Sequence, residues 1–229
     1  PQLILETHAH ADHLSSSYDL KNIFPAAKIG IGKGIKKVQA RFKEIFNIKT
    51  LLTDGSQFDL LMEEGVEVTA GSIMVKTIAT PGHTPACVSY LIEDMLFTGD
   101  AMFMPDFGTG RCDFPDGSAE DLYHSVQKLY TLEDTTRVFV GHDYMPGGRE
   151  LKFETTIGEC KKNNIQLTAE TKKEEYIEFR TARDIKLNAP RLLFPSIQVN
   201  INAGQLPAAE SNKTSYIKIP ISISTENSN

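Results

Sequence analysis

Long apolar runs are missing from this chain. Nowhere does it approach the roughly 18 to 20 uncharged residues that a membrane-crossing helix needs, and no signal peptide precedes its first polar loop, so no membrane partner is expected. Basic charge is also in short supply: 24 Lys and Arg against 30 Asp and Glu leave a net charge of −6. That balance argues against nucleic acid and for small molecules as partners. Cysteine is sparse, and Cys87, Cys112 and Cys160 are odd in number and widely spaced, which excludes a disulfide framework and points to reduced thiols in a cytoplasmic setting. Internal repeats are absent, as are low-complexity segments before the polar end. The first residue is Pro1 rather than methionine, and Leu3-Ile4-Leu5 enters a buried type of strand at once, so the chain is read as N-terminally incomplete. With 229 residues, 40% of them hydrophobic, one substantial core is expected, as a single domain over residues 1–223 followed by a polar flexible tail at 224–229.

Against these absences stands one dense polar stretch, Thr7-His8-Ala9-His10-Ala11-Asp12-His13. It follows the apolar run directly, so a strand ends there and delivers His8, His10, Asp12 and His13 onto a sheet edge. Neutral imidazole with carboxylate suits zinc, iron or manganese better than calcium. A polar surface turn would not need so many metal-ligating groups in so short a span.

The same arrangement recurs along the chain. Thr80-Pro81-Gly82-His83-Thr84-Pro85 follows an apolar run and clamps one histidine between prolines, with a glycine free to take unusual torsions. Met95 to Phe97 runs into Thr98-Gly99-Asp100, and Arg137 to Val140 empties into Gly141-His142-Asp143-Tyr144. Helices are expected at Ser15–Phe24, Gly34–Phe46, Ser118–Leu132, Arg149–Asn163 and Glu170–Leu187. Within them, Ser118 with Asp121 makes a capping signal, and Leu122, Val126, Leu129 and Tyr130 form a buried stripe. The last helix should bury Tyr176, Phe179 and Ile185. Strands are expected at Lys28–Ile31, Val66–Val68, Ile73–Ile78, Val88–Ile92, Leu96–Phe97 and Arg137–Val140, with late ones at Val199–Ile201 and Tyr216–Ile219. His124 falls outside the stripe of its helix and reads as a surface residue. Cys87 is expected in a strand and Cys160 in a helix, both as packing residues.

Five of the six histidines thus lie in strand-end loops. Taken together, His8, His10, Asp12, His13, His83, Asp100 and His142 resemble the metallo-β-lactamase superfamily pattern of HxHxDH followed by single His, Asp and His ligands. The resemblance implies an α/β fold, the αββα sandwich of two stacked mixed sheets with helices outside, and it fits a chain lacking its N-terminal strands. Within that superfamily, Thr80-Pro81-Gly82-His83-Thr84-Pro85, Phe97-Thr98-Gly99-Asp100, Gly110-Arg111-Cys112-Asp113-Phe114, Leu122-Tyr123-His124-Ser125 and Gly141-His142-Asp143-Tyr144 resemble the persulfide dioxygenases, relatives of glyoxalase II. Pro146-Gly147-Gly148-Arg149 and Pro195-Ser196-Ile197-Gln198-Val199-Asn200 resemble the bacterial branch found in sulfide-responsive operons.

The resemblance implies one Fe(II) held by His8, His83 and Asp100, with open positions for a persulfide sulfur and O2, and oxidation of the sulfur to sulfite with return of the carrier thiol. It assigns His10, Asp12, His13 and His142 to orienting ligands or holding water at the catalytic centre. Arg111 and Tyr144 match residues that hold glutathione. Cys112 stands beside them where many members carry threonine, so substrate range turns on it, and the thiol itself is read as inert. A homodimer and a rhodanese-type sulfurtransferase, as partner or fusion, belong to the same expectation. The alternative is a zinc hydrolase of glyoxalase II type with two Zn(II) ions, one on His8, His10 and His83, the other on Asp12, His13 and His142, bridged by Asp100. A non-enzymatic metal module is disfavoured, because structural zinc sites are closed and often cysteine-rich, and here the cysteines lie outside the ligand loops.

Overall fold

The computed structural model describes residues 1–221, so the expected tail at 224–229 lies outside the described residues. Two sheets form its centre. Strands β1 (Leu3–Leu5), β2 (Lys28–Gly32) and β3 (Leu60–Met62) make the first, parallel throughout. Parallel neighbours need crossovers; α1 (Ser17–Ile23) supplies one and α2 (Ile35–Ile45) the other. Strands β4 (Glu67–Ala70), β5 (Ile73–Ala79), β6 (Val88–Ile92), β7 (Met95–Phe97), β8 (Arg137–Phe139) and β9 (Glu154–Thr156) make the second in sequence order. That sheet is mixed: β7 and β8 run parallel, with α3 (Ala119–Leu129) crossing between them, and every other neighbouring pair is antiparallel.

Side-chain alternation sets the layers. Ile29 and Ile31 of β2 face outward and pack with Ile35, Val38 and Phe42 of α2. Met62, Val75, Val88 and Tyr90 meet between the sheets, joined by Leu3 and Leu5. On the far side, Leu96 and Val138 pack under Leu122, Val126 and Leu129 of α3, with Ile157 and Cys160 of α4 (Ile157–Asn163) and Tyr176 of α5 (Lys173–Asp184). The order is helix, sheet, sheet, helix, as the αββα pattern requires. The Ser118 hydroxyl accepts from the Asp121 amide and starts α3 as its sequence indicates, with the stripe 122, 126, 129 and 130 buried.

Five expectations need correction. Residues Arg149–Asn163 are not one helix: Glu154–Thr156 pairs with β8 as the edge strand β9, and helix begins only at Ile157, where the Thr156 hydroxyl caps the Glu159 amide at 3.2 Å. In α5, Phe179 is 43% and Ile185 81% exposed, and the buried face is instead Tyr176, Arg180 and Asp184 at four-residue steps. Val199–Ile201 is no strand. Its apolar residues belong to α6 (Leu193–Asn200) and its C-cap, where Ile197 and Ile201 sit one turn apart and pack into the core beside α2. Tyr216–Ile219 forms no strand either; Lys218 pairs both backbone groups with the Gln198 side chain. Cys87 lies just before β6, and β3 is a strand that the sequence pattern missed.

Candidate metal centre

All four ligand-bearing loops leave the same edge of the sandwich, after β1, β5, β7 and β8. His8 is 1% exposed, and its Nδ1 meets the Thr7 hydroxyl at 3.0 Å, which turns Nε2 inward. That Nε2 has no hydrogen-bond partner although it is buried. Burial, reinforced by the neighbouring His10 and His83, holds His8 well below the ordinary histidine value, so its imidazole is neutral and its inward nitrogen carries a lone pair.

His83 is fixed from the opposite side. Its Nδ1 lies 2.6 Å from the Arg111 carbonyl, which can only accept, so Nδ1 carries the proton and Nε2 is left free. Asp100 Oδ2 lies 3.9 Å from His8 Nε2 and 3.7 Å from His83 Nε2, and the other oxygen, Oδ1, is buried without a partner. One ligand atom from each residue lies within 4.8 Å of the others. Ligand bonds of about 2.0–2.2 Å let one ion bridge donors nearly 4 Å apart. Buried orphaned atoms of this kind cost free energy unless something binds them. The donor set, two neutral imidazoles and a carboxylate, fits a divalent transition metal.

A second group adjoins the first. His10, Asp12 and His13 offer atoms within 4.8 Å of one another, and His142 Nε2 stands 3.3 Å from Asp12 Oδ2 and 3.7 Å from Asp100 Oδ1. His10 also borders the first group: its ring lies 4.1 Å from that of His8, and its Nδ1 is buried without a hydrogen-bond partner. Its Nε2 faces Glu6, whose Oε2 lies 3.5 Å away, while Ser15 and Ser17 donate to the Glu6 Oε1. Burial alone would raise the Glu6 pKa, but those hydrogen bonds and His10 hold it below the ordinary carboxylate value. Burial likewise opposes a charge on His10, yet Glu6 outweighs it and raises the His10 pKa.

Two supporting residues were not read as site residues from the sequence: Glu6, and Asn200, which stood there only as the end of the Pro195–Asn200 resemblance. Asn200, at the end of α6, donates from Nδ2 to the His10 and His13 carbonyls at 2.8 Å each and accepts from the Ser15 amide at 2.8 Å, clamping the whole loop. It lies in the run expected as the strand Val199–Ile201, and it is 4% exposed.

A cavity of about 350 Å³ opens beside Asp100 and His83, walled by Phe103, Phe107, Tyr144, Arg111, Arg183 and Leu187. Tyr144 stacks on Phe107 with centroids 4.3 Å apart and meets Phe103 edge-on. Burial, with the charges of Asp100 and Asp12, pushes its phenol up to about 12, so it stays a donor at neutral pH. Asp113 occupies Nε and Nη2 of Arg111, and the Asn188 carbonyl takes Nη1. A ligand carboxylate must therefore exchange with Asp113 to receive the guanidinium fork. His124 points to solvent and pairs with Glu120 at 3.8 Å, outside the site.

All three thiols are free and buried. Burial pushes Cys87 and Cys160 up to about 12 and raises Cys112 as well. Unfolded thiols ionise near about pH 8.5. Above that pH the unfolded chain binds fewer protons than the native one, so stability falls as pH rises, by up to about 1.4 kcal/mol per thiol per pH unit. Above about pH 8.5 the melting temperature should drop as these thiols ionise in the unfolded chain, and a thiol reagent at about pH 8 should label the chain only after unfolding. Rapid labelling of the native chain would contradict this burial.

His8, His83 and Asp100 converge as a set that could hold a metal ion, which defines a candidate metal centre. Residues 1–142 match the metallo-beta-lactamase superfamily, and the chain belongs to that superfamily. It is 56% identical over 223 residues to glyoxylase B2 of Dictyostelium discoideum, covering 96% of this chain and 76% of that protein. It is 32% identical over 209 residues to the mitochondrial persulfide dioxygenase ETHE1 of Homo sapiens, covering 90% of this chain and 70% of the relative. The crystal structure of ETHE1 from Myxococcus xanthus superposes with a TM-score of 0.71 at 31% identity, over 89% of this chain and 78% of that one. Other relatives, at 44–45% identity, are about twice as long, the chain spanning 50–51% of them. Among the described residues no helix is long and apolar enough to cross a membrane.

Proposed function

We propose that the chain is an Fe(II)-dependent dioxygenase that oxidises a low-molecular-weight persulfide, glutathione persulfide or a close analogue, to sulfite and thiol. The observation that carries this reading is a single buried set of two imidazoles and one carboxylate, with free atoms converging beside an open cavity. Three protein ligands of this kind suit ferrous iron, which when bound supplies adjacent open positions for the sulfur and for O2. His8 remains neutral and so enters as a nitrogen donor, while the Arg111 carbonyl keeps the His83 ring from rotating. Tyr144 offers its phenolic proton toward a sulfur anion held in the cavity, with Phe103 and Phe107 packed beside its ring. Arg111 takes a carboxylate of the carrier by bidentate exchange with Asp113. Asp12 and His142, 3.3 Å apart, are placed to hold a water and pass its proton. The persulfide would come from a sulfurtransferase, either a partner or a fused domain.

The second group, with the glyoxylase B2 likeness, favours one other reading, a two-zinc thioester hydrolase. One experiment separates them. Iron-loaded protein given glutathione persulfide should consume O2 in step with sulfite release and leave S-lactoylglutathione intact. Thioester cleavage by zinc-loaded protein, with no O2 uptake by the iron-loaded form, would replace the dioxygenase by the hydrolase.

A further inference from the structure

The buried face of α5 is not apolar. Arg180 and Asp184 are paired one turn apart with side chains 2% and 5% exposed, and Arg180 Nε is buried without any partner. Burying such a pair costs desolvation that its own attraction repays only in part, and well-packed apolar residues commonly do as well or better for stability. Stability therefore gives little reason for it. Its contacts supply another.

Asp184 divides its two oxygens. Oδ1 accepts from Arg180, and Oδ2 accepts from the Cys112 amide at 2.7 Å. Arg180 Nη1 reaches Gln166 Oε1 at 2.9 Å and the Thr109 carbonyl at 3.3 Å. Gln166 Oε1 in turn accepts from the Thr109 amide and hydroxyl, and the Tyr176 hydroxyl meets that same threonine at 2.7 Å. The segment from Thr109 to Cys112 is thus strapped at both ends to α5. Between those ends lie two contacts with the metal centre. The Arg111 carbonyl takes the His83 Nδ1 proton, and Gly110 lies so close that an added Cβ would stand 2.0 Å from the Asp100 carbonyl. One strap therefore touches two of the three donor residues, and it carries Arg111 into the cavity.

We infer that Asp184 is a positioning residue for the metal centre: with Arg180 it fixes the 109–112 strap so that the Arg111 carbonyl sets the tautomer and orientation of His83. This rests on His8, His83 and Asp100 being the metal ligands, and it is independent of which substrate is used. Asp184→Asn is the direct test, because an amide has one accepting oxygen where the carboxylate has two, so either Cys112 or Arg180 must face an NH2 group.

Cobalt(II) serves as the probe, bound to the full chain, with affinity read by chelator competition and geometry by its visible absorption. Loss of an outer support typically weakens metal binding ~10–100-fold. Asp184→Asn should show a loss in that range and a changed cobalt spectrum, whereas Val75→Ala, a change in the core between the sheets, which holds no strap residue, should lower the melting temperature and leave both unchanged. A folded Asp184→Asn protein with wild-type cobalt affinity and spectrum overturns the inference. Should that variant fail to fold, Arg180→Met/Asp184→Leu decides, since an apolar pair restores packing without an acceptor for Cys112. Weakened cobalt binding in that stable double variant supports the positioning role, and wild-type binding removes it. Wild-type protein that binds no cobalt would instead remove the ligand assignment beneath it.

Discussion

His83→Ala is expected to strip the protein of its metal and to bring turnover to background. The substitution removes the Nε2 that faces Asp100 and leaves the Arg111 carbonyl without its donor. Two protein donors, His8 and Asp100, then remain where three converged. The loss of affinity should exceed the ~10–100-fold typical of an outer-shell deletion, because a direct bond is lost. A ligand that binds only the native state stabilises it by mass action. Wild-type protein should therefore melt at a lower temperature when a chelator is added, and His83→Ala should melt at the same temperature with or without it. Elemental analysis checks the same point independently. A variant that keeps one tightly held ion per chain would show that His83 is not a ligand.

Gly82→Ala should do comparable damage by a different route. Gly82 has φ +141°, a region that side-chain-bearing residues seldom enter. An added Cβ would stand 2.4–2.5 Å from the Cβ, Cα and amide nitrogen of Leu122, in the first turn of α3. Neither partner can give way cheaply. The Gly82 carbonyl accepts from the Ser118 amide at 2.8 Å, and the Pro81 carbonyl accepts from the Ser125 hydroxyl at 2.7 Å, so loop and helix are already joined. Overpacking of ~1–3 kcal/mol and backbone strain of about the same size sum to ~2–6 kcal/mol, taken as about 3 kcal/mol. For a chain of this length that lowers the melting temperature by ~6–12 °C. His83 follows directly in the chain, so metal retention should fall as well. A melting temperature within a degree or two of wild type would mean that the loop accommodates the methyl group by moving off α3.

The candidate donor residues were legible in the sequence because each follows an apolar strand, His8 in a dense run of histidines and His83, Asp100 and His142 in loops that hold glycine or proline, and the fold collects strand ends at one edge. What orients those donors was not legible. The group that holds His83 is a backbone carbonyl, which has no residue signature. Glu6 reads as the last polar position of a strand, and Asn200 as a polar residue in an apolar run, until the chain folds and brings Asn200 against His10 and His13. Ile197, Val199 and Ile201 alternate as strand residues do, while Ile197 and Ile201 also keep helical spacing; a short run with both periods cannot be assigned from pattern alone. In α5 the polar face is the buried one, because its partners are the strap carbonyls and amides rather than a sheet.

Asn200 also bears on when the site comes into being during synthesis. Its side chain bonds to the His10 and His13 carbonyls across 190 and 187 positions of sequence, so the ligand loop is braced by a helix made much later than itself. At chain elongation rates of ~5–20 residues per second, His8, His10, Asp12 and His13 wait on the order of 10–40 seconds for that brace. A nascent chain halted before residue 200 holds all of these donors but lacks the side chain that sets the His8–His13 loop, so metal loading is expected to follow completion of α6 rather than the appearance of the ligands.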